Sequence, residues 1–326
     1  MRQIARVAAL SALLAMWPSK QATGSGTMLF GSRDPVQDSA KWLVIRPEGD
    51  TGCAFGTPFQ FFYHEAADPS KLMVYFQGGG ACWEWVSCSG MFDRTVTDHE
   101  LEGFGGIFDF DNAANPFRQY SIVFVPYCTG DVHVGDTVAQ YGDASWNAPS
   151  VQHQGYDNVT AVIEWIRSQV PRPERLVVAG ASAGSYGALF HAPRLAAIFP
   201  SAELTVIADS GVPLLHEYPR ILEQWGAARA LRTLWRSQLP QGEAGDTAVT
   251  LEAAHKHLAR LRPDAAIAQI TTDQDGVQTV FYIFSGSREW RRATLALLKS
   301  LEESISGFYA FVLSGGHHGL MRTDQF

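Results

Sequence analysis

Gly180-Ala181-Ser182-Ala183-Gly184 sets a hydroxyl among small residues, after the apolar run Arg175-Leu176-Val177-Val178-Ala179 and before a helix-compatible stretch from Ser185 to Ala197. Strand, tight turn and helix is the context in which G-x-S-x-G lifts a serine to the top of a sheet, at the positive end of a helix. The small neighbours are needed because such a turn is strained and passes close to the adjoining strand and helix. A dinucleotide loop fits worse, since G-x-G-x-x-G would need glycine where Ser182 stands. The chemistry open to such a serine is attack on an acyl carbon. That also requires donors for the oxyanion, a base, and an acid to orient the base.

The donors are expected in Gln77-Gly78-Gly79-Gly80-Ala81, which follows the apolar run Leu72–Phe76. Glycines let main-chain N–H groups face a ligand without side-chain hindrance, and Gly79, Gly80 and Ala183 are the expected oxyanion hole. A phosphate-cradling loop is disfavoured because no G-K-[ST] follows. The base is expected in the last loop, Ser314–Leu320, where His317 and His318 are adjacent and spacing does not choose between them. The order serine, acid, histidine then asks for a carboxylate between the two, and Asp273 and Asp275 both stand there. A plain Asp-Gly turn is the ordinary use of Asp275-Gly276.

Elements must hold these groups together. Eight separated apolar runs read as strands: Trp42–Arg46, Phe59–Tyr63, Leu72–Phe76, Ile122–Pro126, Leu176–Ala179, Leu204–Ala208, Ile267–Thr271 and Phe308–Leu313. Several are continuously apolar, as in a sheet covered on both faces. Helical periodicity lies between them, in Val159, Val162, Ile163 and Ile166 and in Leu295, Leu298, Leu301 and Ile305. The alternation predicts an α/β fold with a mostly parallel central sheet and helices on both faces. The short turns across residues 41–76 predict an antiparallel edge. Residues 216–262 are helical in character, and either a cap over the site or a packing helix accounts for them.

The chain has 326 residues, 46% hydrophobic and 18% charged, and carries a formal charge of −8 with no lysine- or arginine-rich block. Nucleic-acid binding, which leans on clustered cations, is excluded as an expectation. Arg2, Arg6 and the apolar stretch Val7–Trp17, too short to span a bilayer, resemble an export signal over residues 1–24. Residues 25–326 are then one domain, secreted or periplasmic, with no stable membrane insertion. Removing that signal takes away Arg2, Arg6 and Lys20 and lowers the charge by three, to −11.

Four cysteines, Cys53, Cys82, Cys88 and Cys128, follow it. An even count behind an export signal implies disulfides. Cys82 and Cys88 are the natural local pair, leaving Cys53 with Cys128, although three connectivities are formally open. No C-x-x-C suggests a zinc site.

Four segments together resemble the pectin acetylesterase/Notum family of serine carboxylesterases. They are Tyr75-Phe76-Gln77-Gly78-Gly79-Gly80-Ala81-Cys82-Trp83, Val125-Pro126-Tyr127-Cys128-Thr129-Gly130-Asp131-Val132-His133, Gly180–Gly184, and Ala208-Asp209-Ser210-Gly211. They run in the family's order across nearly all of the chain after the export signal. The resemblance implies an α/β-hydrolase fold and a carboxylesterase without metal or cofactor. Its substrate would be a short-chain acyl, chiefly acetyl, ester, for example on a cell-wall polysaccharide such as pectin. Lipid, protein-acyl and synthetic polymer esters are the alternative, and a non-catalytic binding protein on the same fold is a weaker one.

The resemblance also bears on single residues. It favours Asp275 as the acid, through its Asp-x-x-Gln context ending in Gln278, with Asp273 the rival. It favours His318 over His317, because related bacterial members carry a glycine, two variable residues and then the histidine. It makes Asp209 part of a structural turn near the site, and Asp131 and His133 loop scaffolding. Trp83 and Trp85 are candidates to line an acyl or sugar pocket. Gln77 departs from the glutamate usual in plant and animal members.

Overall fold

The computed structural model describes residues 42–98, 100–101, 104–142, 150–211, 218–238, 249–286 and 288–323. The expected export signal lies outside them.

All eight expected strands join one sheet: β1 (Trp42–Ile45), β2 (Phe61–His64), β3 (Lys71–Phe76), β4 (Ser121–Val125), β7 (Arg175–Ala181), β8 (Glu203–Asp209), β9 (Ala266–Thr272) and β10 (Phe308–Leu313). A further hairpin, β5 (Thr137–Gln140) with β6 (Ser150–His153), stands apart. The sheet order is β1-β2-β4-β3-β7-β8-β9-β10. From β4 to β10 every pairing is parallel, while β1 with β2 and β2 with β4 are antiparallel. The antiparallel edge is therefore β1 and β2 alone. β4 inserts between β2 and β3, so β3 is an inner, parallel strand in spite of the short connection before it.

Alternation along the inner strands divides the core in two, because successive side chains point to opposite faces. Leu72, Val74, Phe76, Leu176 and Val178 face one cluster, and Met73, Tyr75, Val177 and Ala179 the other. The first face is covered by α2 (Gly155–Gln169), through Val159, Val162, Ile163 and Ile166, and by α3 (Ala183–Ile198), through Leu189 and Leu195. α8 (Trp290–Ser304) adds Leu297, Leu298 and Leu301 to the same cluster. Among the described residues, the cover on the second face is an aromatic segment rather than a long helix. There Phe108 meets Tyr75 edge-on at 5.0 Å and Phe124 at 5.6 Å.

The 216–262 region holds α4 (Tyr218–Gln224), α5 (Ala227–Gln238) and α6 (Leu251–Leu261). α5 buries Leu231 and Trp235, and the Trp235 ring stacks on Phe190 of α3 at 6.3 Å. α6 starts at Thr250, whose hydroxyl accepts the Ala253 N–H at 3.1 Å, and packs on α3 and α8. Both disulfides form as paired above, Cys53 with Cys128 and Cys82 with Cys88. The latter anchors α1 (Trp85–Gly90) to the chain just past the glycine loop. Among the described residues, no helix is long and apolar enough to cross a membrane. The last helix, α7 (Gly276–Phe284), follows β9 directly.

Candidate active site

Ser182 sits between β7 and α3 with φ 55° and ψ −123°, a left-handed strain found in sharp turns that present a side chain. Its N–H donates to the Asp209 carbonyl at 2.8 Å, which holds the turn against β8. Gly184 is required there, because a Cβ would run into the carbonyl of Phe76 at the end of β3.

The glycine loop forms a single bridge, Gly80 opposite Phe92. Ala81 N–H donates to Met91 O at 3.2 Å and Asp93 N–H to Gly79 O at 2.9 Å, one on each side of that pair. In this register the residue between the two bonds turns its own N–H away from its partner. Gly80, at φ 81°, thus keeps a donor outside the ladder and lines the same pocket as Ser182 and Ala183. Gly79 is set back from that lining, where a Cβ would come within 2.6 Å of the Tyr127 ring.

Behind the loop, Gln77 accepts the Tyr127 N–H at 3.0 Å and donates to Glu100 at 2.6 Å. A glutamate at this position would set two carboxylates against each other, which gives the departure from the family's glutamate a local reason. His133 donates from Nε2 to the Gln77 carbonyl at 2.8 Å, and burial holds its imidazole down to about 4. Asp131 accepts from Thr129 at 2.6 Å and from the Gly155 N–H at 2.8 Å. Both side chains are buried supports of the loop.

Asp275 is fully buried and caps α7. Its Oδ1 accepts the Gln278 N–H at 2.9 Å, and its Oδ2 accepts Gln278 Nε2 and His318 Nδ1, each at 2.8 Å. Gln278 also donates to the Thr271 hydroxyl at 2.9 Å, so the carboxylate is fixed from two sides. With Nδ1–H donated to Asp275, the other ring nitrogen, Nε2, keeps its lone pair. His318 and Ser182 line one pocket, and no hydrogen bond joins their side chains in this structure.

The other two candidates do different work. Asp273 accepts the Gly315 N–H at 3.0 Å, which with Arg291 at 3.1 Å holds its carboxyl below the ordinary range. The His317 side chain is exposed, and its carbonyl accepts the Thr272 hydroxyl at 2.7 Å.

On the far side of His318, the Ser210 hydroxyl accepts the Gly319 N–H at 2.9 Å and donates to Asp209 at 2.8 Å. Asp209 also accepts the Met321 N–H at 2.8 Å, and burial pushes its carboxyl up. The histidine loop is thus stitched by main-chain groups to the ends of β8 and β9. Ser210→Ala leaves the Gly319 N–H without its acceptor and is expected to lower kcat about tenfold through a displaced imidazole. KM should change much less; steady-state kinetics on a soluble ester checks both.

The pocket is open to solvent and has an apolar wall of Val132, Tyr186, Trp225, Val277 and Phe281. Trp225 lies between α4 and α5 and donates from its indole to the Cys82 carbonyl at 2.7 Å. Trp83 and Trp85 do not line it. The disulfide-closed turn buries Trp83 against Phe281, ring centroids 6.0 Å apart, and carries Trp85 out to a separate depression beside Phe55 and Arg94. Tyr186 was legible one helical turn beyond Ser182. Phe281 is likewise one turn beyond Val277, but nothing local marked Trp225.

A buried carboxylate, an imidazole held by it, a half-buried serine and main-chain donors at one pocket are the parts needed for acyl transfer. Residues 37–238 match the family model described as Pectinacetylesterase. The chain belongs to the pectinacetylesterase family. It is similar to the palmitoleoyl-protein carboxylesterase notum2 of Xenopus laevis, 27% identical over 177 residues covering 49% of this chain and 34% of that protein. It is also similar to pectin acetylesterase 7 of Arabidopsis thaliana, 25% identical over 149 residues covering 44% and 37%. The chain thus spans about a third of the length of these curated relatives. The solved structure of the Wnt deacylase Notum from Drosophila shares the fold, with a TM-score of 0.55 at 16% identity over 86% of this chain and 85% of that one. The two curated relatives are named for the hydrolysis of carboxylic esters, one on an acylated protein and one on pectin.

Proposed function

We propose that the chain is a carboxylesterase working through Ser182, His318 and Asp275, with the N–H groups of Gly80 and Ala183 receiving the oxyanion and Gly79, set back from the pocket, holding the loop through its bond with Asp93. The reading is carried by the 2.8 Å contact from His318 Nδ1 to the buried Asp275, at a pocket that Ser182 also lines. His318 Nε2 takes the Ser182 proton as Oγ bonds to the ester carbonyl carbon. The tetrahedral oxyanion collapses, the C–O bond breaks, and the alkoxide leaves with the proton from the imidazolium. Water, deprotonated by the same nitrogen, then releases the acid and restores Ser182. Asp275 keeps the proton on Nδ1 and stabilises the imidazolium.

The substrate in this reading is a short acyl ester, chiefly acetyl, such as those on pectin, and the protein acts after export. A second reading, esters of lipids, acylated proteins or synthetic polymers, is favoured by the apolar wall of the pocket. Rates on p-nitrophenyl esters from two to sixteen carbons separate them. Turnover is expected to peak at two to four carbons and to fall about tenfold or more by twelve. A rise toward sixteen would replace the first reading by the second, and no turnover at any length would leave only a binding protein.

A further inference from the structure

α7 is uncharged and mostly apolar. Of its nine residues, Gly276-Val277-Gln278-Thr279-Val280-Phe281-Tyr282-Ile283-Phe284, none is charged. A helix of that composition is ordinarily buried on every side. Here Gln278 and Tyr282 face inward, but Val277 is 42% exposed, Val280 45%, Ile283 58% and Phe284 45%. Four large apolar side chains on one short helix form a patch rather than scattered residues. The patch is continuous with the site, since Val277 is both exposed and part of the pocket wall beside Phe281, and Asp275 caps the same helix.

We propose that the outer face of α7 docks the protein on a neutral lipid–water interface, from which an ester with an apolar alcohol reaches the pocket. The inference rests on the esterase reading and names the kind of ester. Charge selects a neutral surface. Of the three arginines that follow the helix, Arg291 is matched by Asp273 at 3.1 Å and Arg292 by Glu289 at 2.5 Å, which among the described residues leaves Arg288 as a single cation against a chain charge of −8. Such a protein gains little from anionic headgroups and is repelled by them. A second copy seated on α7 would cover the pocket mouth, whereas a lipid surface delivers substrate to it.

The test compares the full chain with Val280→Glu/Ile283→Glu, neither residue being part of the pocket wall, on soluble p-nitrophenyl acetate and on a tributyrin emulsion. Adsorption to the droplets is measured alongside. The double variant is expected to hold its soluble rate within about twofold and to lose about tenfold or more in emulsion rate and adsorption, since two apolar side chains no longer leave water. Equal emulsion rates and adsorption for the two proteins overturn the proposal, as does a parent that does not adsorb. So does a parent dimer that the variant turns into monomer with unchanged adsorption. If the glutamates prevent folding, Val280→Ser/Ile283→Ser gives the same readouts. A parent that adsorbs but hydrolyses neither ester leaves docking in place and removes the esterase mechanism instead.

Discussion

Ser182→Ala is expected to lower kcat on p-nitrophenyl acetate by about 10⁴-fold or more, because the other hydroxyl at the pocket, Ser210, is tied to Asp209 and the Gly319 N–H. The fold should survive. The Ser182 side chain makes no capping hydrogen bond to α3, and the turn is held by its main-chain bond to Asp209 at 2.8 Å. Alanine has the same Cβ and meets the same strain at φ 55°. The thermal midpoint is therefore expected to stay within about 3 °C of the parent. A variant that keeps near-parental turnover would remove Ser182 from the chemistry altogether.

The two adjacent histidines give the second large effect. His318→Ala takes away the imidazole bonded to Asp275 and should cost about 10³-fold or more in kcat. His317→Ala removes an exposed side chain and leaves its carbonyl free to accept from Thr272, so the rate should stay within about threefold of the parent. Equal losses in both would mean that the loop, and not one ring, sets the activity. A larger loss at His317 would transfer the proposed base to that residue.

Much of the frame was legible because the inner strands are buried on both faces and so read as unbroken apolar runs. β3, β4, β7 and β8 are of this kind. β5 and β6 escaped because Thr137–Gln140 and Ser150–His153 each have four residues and a weak apolar alternation. The placing of β4 between β2 and β3 was not legible either, since strand order depends on which faces pair and not on the turns between neighbours.

At the site, the elbow and glycine loop declared themselves through backbone needs that few residues meet. The apolar wall did not. Trp225 reaches the pocket through a hydrogen bond to Cys82, 143 residues away in the chain, and no local pattern encodes that meeting. Trp83 misled because its place beside a disulfide fits a core residue as well as a lining one.

The stitching of the last loop has a bearing on how such proteins diversify. Gly315, His317, Gly319 and Met321 are all held through peptide groups, the two glycines at φ 130° and 75°, where other residues would be strained. The location of the imidazole is thus inherited from the ends of two strands. The exposed side chain at 317 is left open to drift, so the rim can be rewritten for new molecules while the proposed proton carrier stays where it was.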